Sequence, residues 1–206
     1  MTVRAFQTCL CPIIIIDGSH LKRKYLGMMF VATNMYGNNQ ILLIAFGVGK
    51  TESRESCIWF LSRLKECIGD MPSLAIILDI VDSIEMVIQV VFPNAYHKLC
   101  CHHLLMNMIT KIDKQERTKI LFWEDAKDYR QLRRALNEDY RTWLEIIGYE
   151  KWARSYFLVV RYNIMTSKNA KSINSLSIDA QKLQITMLID FFRATMQQWW
   201  CQRRKC

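Results

Sequence analysis

The amino-acid sequence predicts a mixed α/β fold, a sheet with flanking helices followed by a mostly helical C-terminal region. Three observations carry this. The run Ile13-Ile14-Ile15-Ile16 precedes Asp17-Gly18 without polar alternation, which suits a central strand buried on both faces. Two further apolar segments, 27–34 and 40–48, flank the turn signal Tyr36-Gly37-Asn38-Asn39, so the first third reads as an antiparallel meander. Beyond residue 53 the apolar residues take helical spacing, interrupted by two short strand-like runs.

Taken in order, 53–68 is predicted helical. Ile58, Leu61, Leu64 and Ile68 fall on one face, and Arg54, Glu55, Arg63 and Lys65 lie elsewhere. Residues 73–78 read as a buried strand that ends at Asp79. A helix follows through Ile84, Val87, Ile88 and Val91 and is stopped by Pro93-Asn94. A brief strand, 96–99, leads into Cys100. The rest reads as helices, through Leu121, Leu132, Leu136 and Leu144, with a break over 161–168. A final amphipathic helix covers 185–200 and ends in the basic tail Arg203-Arg204-Lys205.

With 51% hydrophobic and 11% aromatic residues, the 206-residue chain builds a sizeable core and is not a disordered sequence. No apolar stretch approaches the ~20 residues needed to span a bilayer, so no membrane partner is expected. The short run before Asp17 has no small-residue cleavage site behind it, which argues against a signal peptide. The eight cysteines follow no regular framework and read as reduced intracellular thiols. A net charge of +9 suits a polyanionic partner, nucleic acid first; a basic protein without that role would carry the same charge.

Asp17 and Asp79 each follow a buried run. Strand ends are where α/β folds place chemistry, and they are equally places where an aspartate caps a turn or helix. Cys100-Cys101-His102-His103, with His97, offers soft ligands, but a structural zinc needs four and no second pair lies nearby in sequence. Packing and helix entry beside Asp79 is the other role for this group. Lys22-Arg23-Lys24 offers phosphate contacts next to the first aspartate, or simply a solvated turn. The basic tail reads as a frayed terminus. Trp199-Trp200 reads as core packing, because base stacking needs exposed aromatics in a basic groove.

In their order, the motifs resemble the plant Mutator-like element (MULE) transposase family. Residues 12–22, PIIIIDGSHLK, are similar to P-x-I-x-x-D-G-T-H-L-K. Tyr25-Leu26-Gly27, Gly37-Asn38-Asn39-Gln40-Ile41, Ala45-Phe46, Glu52 and Trp59-Phe60-Leu61 continue the likeness. Phe92-Pro93-Asn94-Ala95, His97, Cys100, His103-Leu104 and Asn107 resemble F-P-x-A-x-H-x-x-C-x-x-H-L-x-x-N. Trp152-Ala153-Arg154, residues 161–167 and Ser172-Ile173-Asn174 follow.

The resemblance implies a ribonuclease-H-like mixed sheet with a helical insertion. On that frame 1–110 forms the core, 111–160 the helical insertion, and 161–206 the C-terminal helices completing the core. It also implies a nuclear protein that cleaves DNA and transfers strands with two aspartates and a glutamate around Mg²⁺ or Mn²⁺. Asp17 matches the first aspartate and Asp79 the second. Cys100 and His103 match the family's Cys-x-x-His.

The third acid does not match. The family pattern T-S-N-x-A-E-S-x-N is here Thr166-Ser167-Lys168-Asn169-Ala170-Lys171-Ser172-Ile173-Asn174, with Lys171 at the glutamate position. An ammonium cannot ligate a metal ion. Glu124, Asp125 and Asp179 do not stand where they replace the lost carboxylate. Leu78, Ile80, Ser83, Cys57, Leu43 and Gln181 also depart from the family's residues. Several of these changes are single C-to-T or G-to-A steps, as deamination in a silenced element would leave. Members usually carry an N-terminal DNA-binding region and a C-terminal zinc segment, neither recognisable here, so a fragment is expected. The expectation is a catalytically inactive transposase domain holding no productive metal, with Lys171 salt-bridged to the aspartates. The alternative is a transposase-derived DNA-binding or regulatory module.

Overall fold

The computed structural model describes residues 11–21, 26–35, 40–51, 53–78, 82–100, 104, 138–152 and 167–203. Its elements are β1 Ile13–His20, β2 Met28–Met35, β3 Ile41–Gly49, α1 Arg54–Ile68, β4 Ala75–Leu78, α2 Asp82–Val91 and β5 Tyr96–Leu99. There follow α3 Glu138–Ile147, α4 Tyr149–Trp152, α5 Lys168–Leu176, a 3₁₀ turn Ala180–Lys182 and α6 Ile185–Arg203. The strands form one five-stranded mixed sheet in the order β3-β2-β1-β4-β5. β1, β2 and β3 are antiparallel neighbours, as the meander predicts, and β4 and β5 run parallel to β1.

The isoleucine run of β1 is central and buried on both faces. Ile14 and Ile16 enter one core with Ile76, Leu78 and the inner faces of α1 and α2. Ile13 and Ile15 enter the other, with Ile77 and with Ala170 and Ile173 of α5 and Leu188 and Phe192 of α6. The result is a helix–sheet–helix sandwich. Phe192 closes its second layer by stacking on Phe46 with ring centroids 4.6 Å apart. Among the described residues, no helix is long and apolar enough to cross a membrane.

Three boundaries differ from the sequence reading. β1 does not end at Asp17. It continues to His20, because antiparallel pairing with β2 persists from Asp17↔Val31 to His20↔Met28. Pairing with β4 covers only Ile13 to Ile15, so Asp17 stands just beyond the β1–β4 ladder. β4 starts at Ala75 rather than Ser73. Residues 71–74 form a turn in which Leu74 N–H donates to Met71 O at 3.4 Å, and Ser73 takes a left-handed φ of 58° that no strand residue holds. The last helix runs three residues past Trp200.

Two buried polar side chains manage the place where the β1–β2 ladder gives out. A register shift interrupts the β2–β3 pairing at Ala32/Thr33. Beyond it, Asn34 Nδ2 donates to the carbonyls of Cys11 (2.8 Å) and Ile13 (2.6 Å), and Thr33 Oγ1 donates to Ile15 O at 3.4 Å. Side chains of β2 thus add donors to carbonyls at the start of β1 and just before it. Gly27, ahead of β2, is a close-approach position: a Cβ there would lie 2.8 Å from the Gly49 carbonyl oxygen.

Of the predicted helical insertion, 138–152 is described. Leu144 and Trp152 are buried, and the Lys98 ammonium of β5, itself buried, donates to the Glu150 carbonyl of α4 at 2.5 Å. Leu121, Leu132 and Leu136 lie outside the described residues, as do the turn 36–39 and most of the expected break.

Candidate functional site

α5 is the element that brings polar chemistry to the sheet. Its start is fixed from β5: Ser167 N–H donates to the sulfur of Cys100 at 3.1 Å, and the thiol lies 3.4 Å from Ser167 Oγ. Both residues are fully buried. Ala170 and Ile173, three apart on one helical face, then pack on the Ile13/Ile15 side of the sheet. This docking carries Asn174 to β1, where its Nδ2 donates to Asp17 Oδ2 at 2.9 Å.

The contact is embedded in a part-buried polar network. The Asn174 carbonyl accepts from Ser177 Oγ at 3.0 Å and from Gln181 Nε2 at 3.2 Å. The same amide nitrogen lies 3.0 Å from Ser177 Oγ and 3.3 Å from Ser19 Oγ. Ser177 and Gln181 are buried. Ser19, two residues after Asp17, shares its face of β1. Gln181 therefore ties the 3₁₀ turn both to the end of α5 and to the strand that bears Asp17. One atom in this region is left over: Asn174 Oδ1 is buried and has no hydrogen-bond partner.

Lys171 stands one turn before Asn174 on the same face of α5 and is half-buried. Of the salt bridge expected to both aspartates, the half to Asp17 is not formed, and Asp79 lies outside the described residues. Lys171 makes no ion pair with Asp17, whose partner on α5 is the Asn174 amide. Lys168, a further turn back, is exposed. Asp179 does not restore a carboxylate. Its side chain is 95% exposed and paired with Lys182 at 2.6 Å, and that lysine holds the carboxyl below the usual range.

Asp79 and Ile80 lie outside the described residues, one and two positions past the last residue of β4. So do Lys22, Arg23 and Lys24, Cys101, His102 and His103, and Glu124 and Asp125. Cys100 and His97 are not brought together. His97 pairs with Ile76 in the first core, while Cys100 belongs to the second. The Cys100 sulfur is engaged with Ser167. Among the described residues no three His, Cys, Asp or Glu side chains gather at metal-binding distance.

Sequence reading missed the Asn174–Asp17 contact and the Ser19–Ser177–Gln181 network. The available signal was spacing: Asn174 falls three residues after position 171 and so shares its helical face. No curated protein matches the chain. Residues 13–107, from the start of β1 to beyond β5, match the family model of the MULE transposase domain.

Proposed function

We propose that the chain is a transposase-type domain of the MULE family with a ribonuclease-H-like core, in which strand cleavage has been lost. The observation that carries this reading is the contact between Asn174 and Asp17. It docks α5 against β1 at the first candidate aspartate, with the lysine-bearing position 171 one turn away on the same face.

The strand order and directions support the fold reading: a three-stranded meander extended by two parallel strands, with β1 at the centre. The division into a core over 1–110, a helical insertion over 111–160 and completing helices over 161–206 accords with α5 and α6 forming the second core of the sheet. Asp79 directly follows Leu78, and consecutive Cα atoms lie about 3.8 Å apart. The strand that Asp79 follows in sequence, β4, is the parallel neighbour of the strand that bears Asp17, which supports the reading of Asp79 as the second aspartate.

Hard oxygen donors at such a pair suit Mg²⁺ or Mn²⁺. Bound there, two such ions supply an activated water and stabilise the leaving oxygen in phosphodiester cleavage. This chain's residues supply less. Asp17 and Asp79 offer carboxylates, but position 171 offers an ammonium, which contributes no lone pair and disfavours a nearby dication. DNA is the partner that the +9 charge and Lys22-Arg23-Lys24 suit, which also implies a nuclear site of action.

The test is incubation of the purified chain with supercoiled and linear duplex DNA in Mg²⁺ or Mn²⁺, with binding followed across salt. The reading expects no metal-dependent nicking. Nicking that requires Asp17 would overturn it. Salt-dependent binding retained in EDTA would identify a DNA-binding module.

A further inference from the structure

We infer that Asp17 serves this chain as the docking acceptor of α5 rather than as a metal ligand, so that its carboxylate stabilises the fold with no cation bound. This rests on the transposase-type reading of the Asp17 site and gives the residue a role that the loss of cleavage leaves intact.

Asn174 Nδ2 donates to Asp17 Oδ2 at 2.9 Å, while Asn174 Oδ1 is buried without a hydrogen-bond partner. Among the described residues, Asp17 is thus the one hydrogen-bond partner of this side chain. An amide that already lacks a partner at one end incurs a further desolvation penalty if the other end loses its acceptor. The acceptor is a carboxylate, and charge-assisted bonds are roughly twice as strong as neutral ones. Ala170 and Ile173 seat α5 on the sheet by apolar packing, and the directional Asn174–Asp17 bond locks the seated helix to β1. Gln181 Nε2, 3.2 Å from the Asn174 carbonyl and 3.3 Å from Ser19 Oγ, ties the same helix end to the same strand a second time.

The same lining does not fit a hydrated ion. One carboxylate oxygen of Asp17 already faces an N–H. The neighbouring amide oxygen is fully enclosed, whereas Mg²⁺ dehydrates reluctantly and keeps several waters in protein sites. At position 171, α5 carries an ammonium where a further carboxylate would be needed. The two roles of an aspartate differ in the sign of their effect on stability. Carboxylates gathered as ligands repel one another without their metal, so exchanging one for an amide stabilises the ion-free protein. A carboxylate that acts as a docking acceptor stabilises the ion-free protein itself, and the same exchange weakens it.

The experiment is thermal unfolding of the full chain in EDTA and in millimolar MnCl₂, for wild type, Asp17→Asn, Asp17→Ala, Asn174→Ala and the double alanine variant. Far-UV circular dichroism checks the fold of each. Wild type is expected to unfold at the same temperature in EDTA and in Mn²⁺. In EDTA, Asp17→Ala should lower the unfolding temperature by about 3–10 °C. Asp17→Asn keeps a neutral acceptor and should lose less, but still lose. The double variant should lose less than the sum of the two single alanine losses, because both side chains share one bond. Asp17→Asn decides the matter if Asp17→Ala fails to fold. An Asp17→Asn protein as stable as wild type in EDTA, or more stable, overturns the inference, and so do single losses that simply add. A rise in wild-type unfolding temperature with Mn²⁺ that Asp17→Asn abolishes also overturns it, since Asp17 is then a ligand, while the transposase-type reading stands. Metal-dependent nicking by a chain whose Asp17→Asn variant is destabilised in EDTA would instead overturn the loss of cleavage and leave the docking role in place.

Discussion

Cys100, one residue past β5, accepts a hydrogen bond at its sulfur from the backbone N–H of Ser167, 67 positions later and 3.1 Å away. The first N–H groups of a helix have no intrahelical partner. Ser167 makes no side-chain cap to its own helix, so a thiol from the sheet takes part of that task. Cys100→Ala should therefore cost about 1–3 kcal/mol, the penalty of leaving a buried donor unpaired, with a small cavity added. Chemical denaturation measures this. In the native protein Cys67 and Cys201, which are exposed, should react with a thiol reagent long before Cys100. Equal rates for all three would contradict the burial of this thiol.

Gln181 is the second joint between the C-terminal helices and β1. Its amide nitrogen has two hydrogens and three oxygens within reach: the Ser177 hydroxyl, the Asn174 carbonyl and the Ser19 hydroxyl. Gln181→Ala removes all three contacts from a buried position and should destabilise by about 1–3 kcal/mol. Gln181→Glu keeps the shape but replaces the donor with a carboxylate, which cannot donate to the Asn174 carbonyl and places a charge in a buried position. It should be worse than alanine at neutral pH and recover as the pH falls and the carboxyl protonates. An urea series at two pH values separates these outcomes.

The N-terminus of α1 carries a serine cap. Ser53 Oγ accepts from Ser56 N–H at 3.3 Å, and Glu55 sits in the first turn. The Glu55 carboxyl is held below its usual value by its own backbone N–H first, then by the Ser53 hydroxyl and Arg54. A carboxylate lowered on folding contributes stability above its unfolded pKa and loses it as the pH falls through the folded value. That contribution is small here because the group is fully exposed. Ser53→Ala should cost about 1 kcal/mol at neutral pH. It should also move the Glu55 titration, followed by NMR, upward toward the ordinary range.

How much of this was legible in sequence depends on where each residue's partners lie. The Ile13–Ile16 run shows its central placement by composition, since only a strand covered on both faces keeps four β-branched residues in a row. The meander follows from turn chemistry. The continuation of β1 through Asp17, Gly18, Ser19 and His20 does not, because those residues lack strand composition and are held by the ladder to β2. Ser73 hides a left-handed turn inside an apparent strand. At the site, the motif pointed to position 171, yet the side chain that meets Asp17 is Asn174, 157 positions away along the chain. That contact is decided by the rotation of α5, which Ala170 and Ile173 set by packing on the sheet. Buried Asn34, Ser177 and Gln181 look like surface residues in sequence, because their partners are backbone carbonyls and hydroxyls that no local pattern reveals.

Lys171→Glu tests what position 171 does to the site. Lys171 is half-buried and lies one helical turn from Asn174, so a cation at Asp17 would meet its charge in a partly solvated setting. After solvent screening, repulsion between a unit charge and a dication at such a distance is on the order of 1–3 kcal/mol, or about ten- to hundredfold in affinity. Glutamate removes that repulsion and adds a carboxylate. The variant should bind Mn²⁺ more tightly than wild type, with stoichiometry rising toward two. Lys171→Met removes the charge without adding a ligand and should recover only part of the gain. In EDTA, Lys171→Glu should be the less stable protein, because a second carboxylate then faces Asp17 without a cation between them. Cleavage need not return, since Ile80 and Lys168 are separate departures from the family's residues. Equal, tight Mn²⁺ binding by wild type and Lys171→Glu would show that the lysine does not weaken the site.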